Sequence, residues 1–129
     1  VLETGEEVKK AMMDIAIKEN IQNASFVALG AFAHATIAWF DWDKKKYRDI
    51  PVEEQVEVIS LVGDIAPGDK GRLTIHAHTV LGRHDGSTRG GHLQQGHVRP
   101  TLEITITETP AHLTRHKHPD LGVALLEQV

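Results

Sequence analysis

The sequence predicts an α+β fold with a mainly antiparallel, rolled β-sheet, and three observations carry that prediction. Apolar residues repeat at helical spacing near the N-terminus, whereas from Ala24 onward β-branched and aromatic residues gather in short runs, several of them alternating. Glycine- and proline-rich turns separate those runs. One helix followed by six or more strands leaves sheet edges to manage, and rolling or doubling the sheet manages them.

The elements follow in order. "TGEEVKKAMMDIAIKENI" opens with Thr4 and Glu7 at capping-box spacing, where each side chain satisfies the other residue's backbone donor. Val8, Ala11, Met12, Ile15 and Ala16 form the apolar stripe of this helix, which should fade near Asn20 to Asn23. "SFVALGAFAHATIAWFDWD" reads as one or two strands bent at Gly30. "DWDKKKYRDIPV" is a hairpin tip, and Lys44 to Lys46 make a solvated charge run. "EVISLVGDIA" is nearly continuously apolar, as expected of a strand covered on both faces by a helix, a second sheet or another subunit. "PGDKG" is turn chemistry leading into "LTIHAHTVLG". The following "GRHDGSTRGGH" must turn tightly or pass close to something. "PTLEITITE" alternates, with Leu102, Ile104 and Ile106 inward and Thr101, Glu103, Thr105 and Thr107 on the other face. "HLTRHKHPDLG" reads as a solvated connection to a short final segment, "DLGVALLEQV".

A chain of 129 residues is expected to form a single domain spanning residues 1–129 with a core that needs no staples. Cysteine is absent, which rules out disulfides and thiolate metal sites and fits a reducing cytoplasm. No apolar run approaches the roughly 20 residues that cross a bilayer, so no membrane partner is expected. A formal charge of -4 argues against a broadly cationic surface for nucleic acid. No phosphate loop or dinucleotide fingerprint appears, and "TRGGH" and "GRHDG" lie between strands without a helix N-terminus to hold a phosphate.

Nine histidines are the compositional oddity, and they are not contiguous. In "LTIHAHTVLG", alternation places His76 and His78 on one strand face, where two imidazoles can close on one ion. His92, beyond the glycine turn, can return as a third ligand. Three histidines leave a coordination position open, as catalytic zinc sites do. Any ion would be zinc or another divalent transition metal. Glu103, on the polar face of the next strand, is the candidate helper: a fourth ligand, a partner for an imidazole N–H, or a proton acceptor. The plainer alternative is a polar solvent face. His84 and His97 read as surface residues, His34 as a strand-end or interface residue, and His112, His116 and His118 as part of the solvated tail.

Taken together, "TGEEV", "ASFVALGAFAHATIAWFD", "YRDIPVEEQVEVISLVGDIA", "IHAHTVLGRHDGSTRGGHL", "VRPTLEITITE" and "TRHKHPDLGVALL" resemble, in order, the plants-and-prokaryotes conserved (PPC) domain in its free-standing prokaryotic form. The resemblance implies an antiparallel sheet flanked by helices, a homotrimer, and metal binding through His76, His78 and His92. A small polar ligand at the metal is a further expectation. The family is commonly labelled DNA-binding, so a DNA-associated regulatory module with a structural metal is the alternative. Plant members, however, join the domain to a separate Arg-Gly-Arg-Pro hook for the minor groove and lack the histidine trio. No such hook occurs here, and an acidic trimer would repel DNA. Hydrolysis, lyase chemistry and ligand sensing all suit three histidines and a glutamate, and the sequence selects none of them.

Overall fold

The computed structural model describes residues 1–110 and 113–128. Strand β1 (Leu2–Glu3) leads into helix α1 (Val8–Lys18), followed by β2 (Ala24–Asp41), β3 (Lys46–Val52), β4 (Val56–Pro67), β5 (Leu73–Gly82), β6 (Thr88–Glu108), β7 (Leu113–His118) and β8 (Val123–Gln128). The architecture is mostly antiparallel β with one α-helix among the described residues, so it is richer in strand than the expected sheet flanked by helices. No helix among those residues is long and apolar enough to cross a membrane.

The main sheet runs β1-β6-β5-β4-β2-β3, and an additional β6–β2 pairing closes it on itself. Strand β2 makes this closure by exchanging partners. Over Ala24 to Phe32 it pairs with β4 on one side and β6 on the other, and beyond Ala35 it pairs with β3 in place of β4. Both ladders shift register beside Gly30, whose φ of 152° suits glycine. A Cβ there would run into the Thr101 carbonyl. The bend expected at Gly30 thus lies inside one continuous strand.

Phe32, Met12, Ile37, Leu61, Ile65, Leu81, Leu93 and Leu102 fill the interior. Val8, Met12 and Ala16 on α1 are buried and Ala11 and Ile15 pack partly against the core, so the predicted stripe is the packed face. The cap differs from expectation. Glu7 is the N-cap residue, accepting from the backbone N–H groups of Lys9 and Lys10 at 3.2 and 3.0 Å. Thr4 instead donates its hydroxyl to the Pro100 carbonyl, because the chain before Glu7 is held as β1 against β6.

Strand β4 has strand partners on both sides, but only one of its faces is covered. Ile59 and Val62 on its outer face are about half exposed, as are Val27 and Leu29 on β2. Among the described residues, the second cover expected for this strand is therefore not found. The tail also departs from the sequence reading. Leu113 to His118 and Val123 to Gln128 form a β-hairpin rather than a solvated connection. At its turn Gly122, with φ 80°, passes so close to Lys45 that a Cβ would strike the Lys45 carbonyl. His112 lies outside the described residues.

Candidate metal centre

Register builds the histidine cluster. His78 and His92 face each other across the antiparallel β5–β6 pair, and His76 lies two residues along β5 on the same face. Ring centroids lie 4.9 Å apart for His76 and His78, 5.1 Å for His76 and His92, and 5.7 Å for His78 and His92. One nitrogen from each ring falls within 4.8 Å of the others. A tetrahedral zinc needs about 3.3 Å between such nitrogens, which small side-chain torsions supply. The hairpin that returns His92 turns over Arg83 to Ser87, where Asp85 accepts from the Ser87 N–H and hydroxyl. Gly91 then admits β6 between its neighbours, since a Cβ there would meet the Ala38 carbonyl at 2.6 Å.

The cluster lies in a cleft of about 680 Å³ whose walls include Lys9, Asp64, Tyr47, Trp42 and the β8 segment Val123 to Leu126. The Tyr47 ring stacks on His92 at 4.3 Å between centroids. Asp64, opposite His76 in the β4–β5 register, places an oxygen 3.9 Å from His76 Nδ1. Its other oxygen accepts from Arg115, which also donates to the Thr74 hydroxyl at 3.3 Å. Arg115 on β7 is almost fully buried, so this pair fastens the tail hairpin beside the histidines.

Burial pushes the His92 imidazolium down to about 4, with the nearby charges of His76, Lys9, His78 and Arg115 adding to the effect. Burial, followed by the Arg115 charge, also lowers His76 against the opposing pull of Asp64. Both rings are therefore neutral near pH 7, the form that ligates a metal. His92 Nδ1 is buried without a hydrogen-bond partner, a vacancy that normally costs about 1–3 kcal/mol. Three imidazoles that each bring one nitrogen within 4.8 Å of the others form a donor set that fits a metal ion.

Glu103 is not brought to this cluster. It lies on the same continuous strand as His92 but eleven residues further, roughly 35 Å of strand path. There it is exposed opposite Leu29 and lines a separate hollow with Val27, Ile59 and Val62. Asp64 is the carboxylate at the cluster. Lys9, Asp64, Tyr47 and Arg115 were missed in the sequence. The signal for Asp64 was a charge inside the apolar run "LVGDIA". His84 is exposed in the β5–β6 turn, whereas His97 is half-buried and stacks on His34 at 4.4 Å, in mid-strand rather than at a strand end. His116 contacts Asp69 at 3.1 Å.

A family model, the Plants and Prokaryotes Conserved (PCC) domain, matches residues 1–110. The chain belongs to this family. Among solved structures, the plant- and prokaryote-conserved protein of Pyrococcus horikoshii is 35% identical with a TM-score of 0.91, covering 100% of this chain and 88% of that one. The "Putative DNA-binding protein" of Ralstonia eutropha JMP134 is 30% identical with a TM-score of 0.90, covering 99% and 88%. A metal-containing protein from Archaeoglobus fulgidus is 26% identical with a TM-score of 0.88, covering 98% and 89%. The bifunctional protein GlmU of Synechococcus sp. (strain JA-3-3Ab) is 27% identical over 126 residues, and the chain spans only 18% of that protein's length. The β7–β8 hairpin of this PCC-domain chain lies beyond the stretch matched by the family model.

Proposed function

We propose that this PCC-domain chain is a metal-binding protein in which His76, His78 and His92 hold zinc or a similar divalent transition metal. The observation that carries this reading is the orphaned, buried His92 Nδ1 within a group of three imidazoles whose nitrogens lie within 4.8 Å of one another. The metal-containing relative from Archaeoglobus fulgidus supports it. Three protein ligands leave the ion a position for a small polar ligand, and when bound the ion supplies Lewis-acid polarisation. Asp64 stands 3.9 Å from His76 Nδ1, close enough for its charge to favour a proton there. Within the chain Glu103 lies away from the rings and lines a separate hollow, so the ligand set of this reading is the three histidines alone.

The uncovered face of Val27, Leu29, Ile59 and Val62 supports assembly as a homotrimer, because a contiguous apolar surface of that kind is usually buried against a partner. We place the assembly in the cytoplasm, where a chain without cysteine gives up nothing. Elemental analysis of untagged wild-type protein and of His78→Ala tests the reading: about one ion per chain is expected in the first and almost none in the second. Metal-free wild-type protein prepared without chelator would contradict it.

A second reading, a DNA-associated regulatory module, is favoured by the name of the Ralstonia relative. The charge of -4 opposes it. It requires a duplex-DNA affinity that falls steeply with salt.

A further inference from the structure

Among the described residues, Lys9 is a half-buried cation without a carboxylate partner. Its ammonium donates there only to the Leu93 carbonyl, at 3.4 Å, and burial lowers its pKa. The neighbouring Glu7 carboxylate is occupied by the N–H groups of Lys9, Lys10 and Gly96. Lys9 lines the same cleft as the three histidines, as do Arg115 and, among the described residues, a single carboxylate, Asp64. The cleft is thus locally cationic in a chain of net charge -4. At its rim Trp42 and Leu125 are 61% and 41% exposed, and the Tyr47 ring adds a flat wall. A volume of about 680 Å³ is that of a small-molecule site.

We propose that the cleft takes a small carboxylate with a flat or branched apolar body, its charge facing Lys9 and its body against Trp42, Tyr47 and Leu125. The inference rests on the reading of this cleft as the ligand site of a metal centre, and it names the ligand's chemical class. A half-buried ammonium holds an anion far better than an exposed one, because water competes less for the pair. An aromatic body then covers tryptophan and leucine surface that the chain leaves in water.

The test is calorimetric titration of benzoate, and of its neutral isostere benzamide, into metal-free and zinc-loaded protein. Benzoate should bind at least about tenfold more tightly than benzamide in both forms, the difference of one well-placed charge pair. Lys9→Met should weaken benzoate about tenfold while leaving benzamide affinity and zinc stoichiometry unchanged. Trp42→Ala should weaken both probes alike. Equal affinities for the two probes, or no benzoate binding in either form, would overturn the inference even where zinc binds normally. Failure of zinc to bind would instead count against the proposed metal centre, while the metal-free titration still decides on the carboxylate.

Discussion

The Asp64–Arg115 pair should lose stability unequally when its two ends are removed, and the asymmetry can be worked from burial. Arg115 is 9% exposed at its side chain and Asp64 28%. Removing the carboxylate by Asp64→Ala leaves a guanidinium in the interior with, among the described residues, only the Thr74 hydroxyl as its side-chain partner. Stranding a buried charge typically costs about 3–5 kcal/mol, and the partial exposure of the pair brings the expectation to about 3 kcal/mol. Removing the cation by Arg115→Met keeps an apolar stem in the same space and leaves a carboxylate that water reaches, for a cost of about 1–2 kcal/mol. At about 2.1 cal/mol/K of unfolding entropy per residue, a chain of 129 residues converts these losses into Tm decreases of about 11 °C and about 4–7 °C. Urea denaturation gives the free energies, and hydrogen exchange on Leu113 to His118 reports whether the hairpin has come away. Arg115→Met costing as much as Asp64→Ala would refute the reasoning, since it would mean that the carboxylate gains nothing from its access to water.

Other consequences follow from the same geometry. Because burial depresses the His76 and His92 pKa values, the unfolded chain binds more protons than the native one below about pH 6.5, so metal-free protein should lose stability as pH falls from there towards 4. After allowance for solvent screening of the half-exposed His92 ring, its share is about 1–2 kcal/mol, read as a falling urea midpoint that His92→Phe should flatten. Gly63→Ala would drive a Cβ into the His76 carbonyl and the Phe26 ring, so a cost of about 2–3 kcal/mol is expected together with weakened zinc binding; unchanged values would mean that β4 and β5 separate freely. Ile59→Asp with Val62→Asp should convert the assembly to single chains in sedimentation velocity while leaving the circular dichroism spectrum unchanged; a mass insensitive to both changes would place the interface elsewhere.

Local pattern made much of this molecule legible. The α1 stripe of Val8, Met12 and Ala16 and the alternation of Leu102 against Glu103 follow from periodicity, which tertiary packing here reinforces. Because His76 and His78 share a strand face by alternation alone, that pair is readable from three letters of sequence. Glu103 stands apart from the rings of its own chain because closeness along a sequence is not closeness along a continuous extended strand. Asp64 and Arg115 were hidden for a different reason. Their positions depend on the β4–β5 register and on how the tail hairpin packs, both set by long-range pairing that no local window contains. The hairpin itself escaped because "LTRHKH" is polar on both faces and shows no apolar alternation.

Zinc titration of chelator-stripped, untagged protein, monitored by calorimetry for the wild type and for His76→Ala, His78→Ala and His92→Ala, tests the metal centre most directly. Three convergent imidazoles predict saturation at about one ion per chain, with each alanine lowering the affinity by at least about a hundredfold. Wild-type protein that takes up no zinc, or three variants that bind it as tightly as the wild type, would contradict the account.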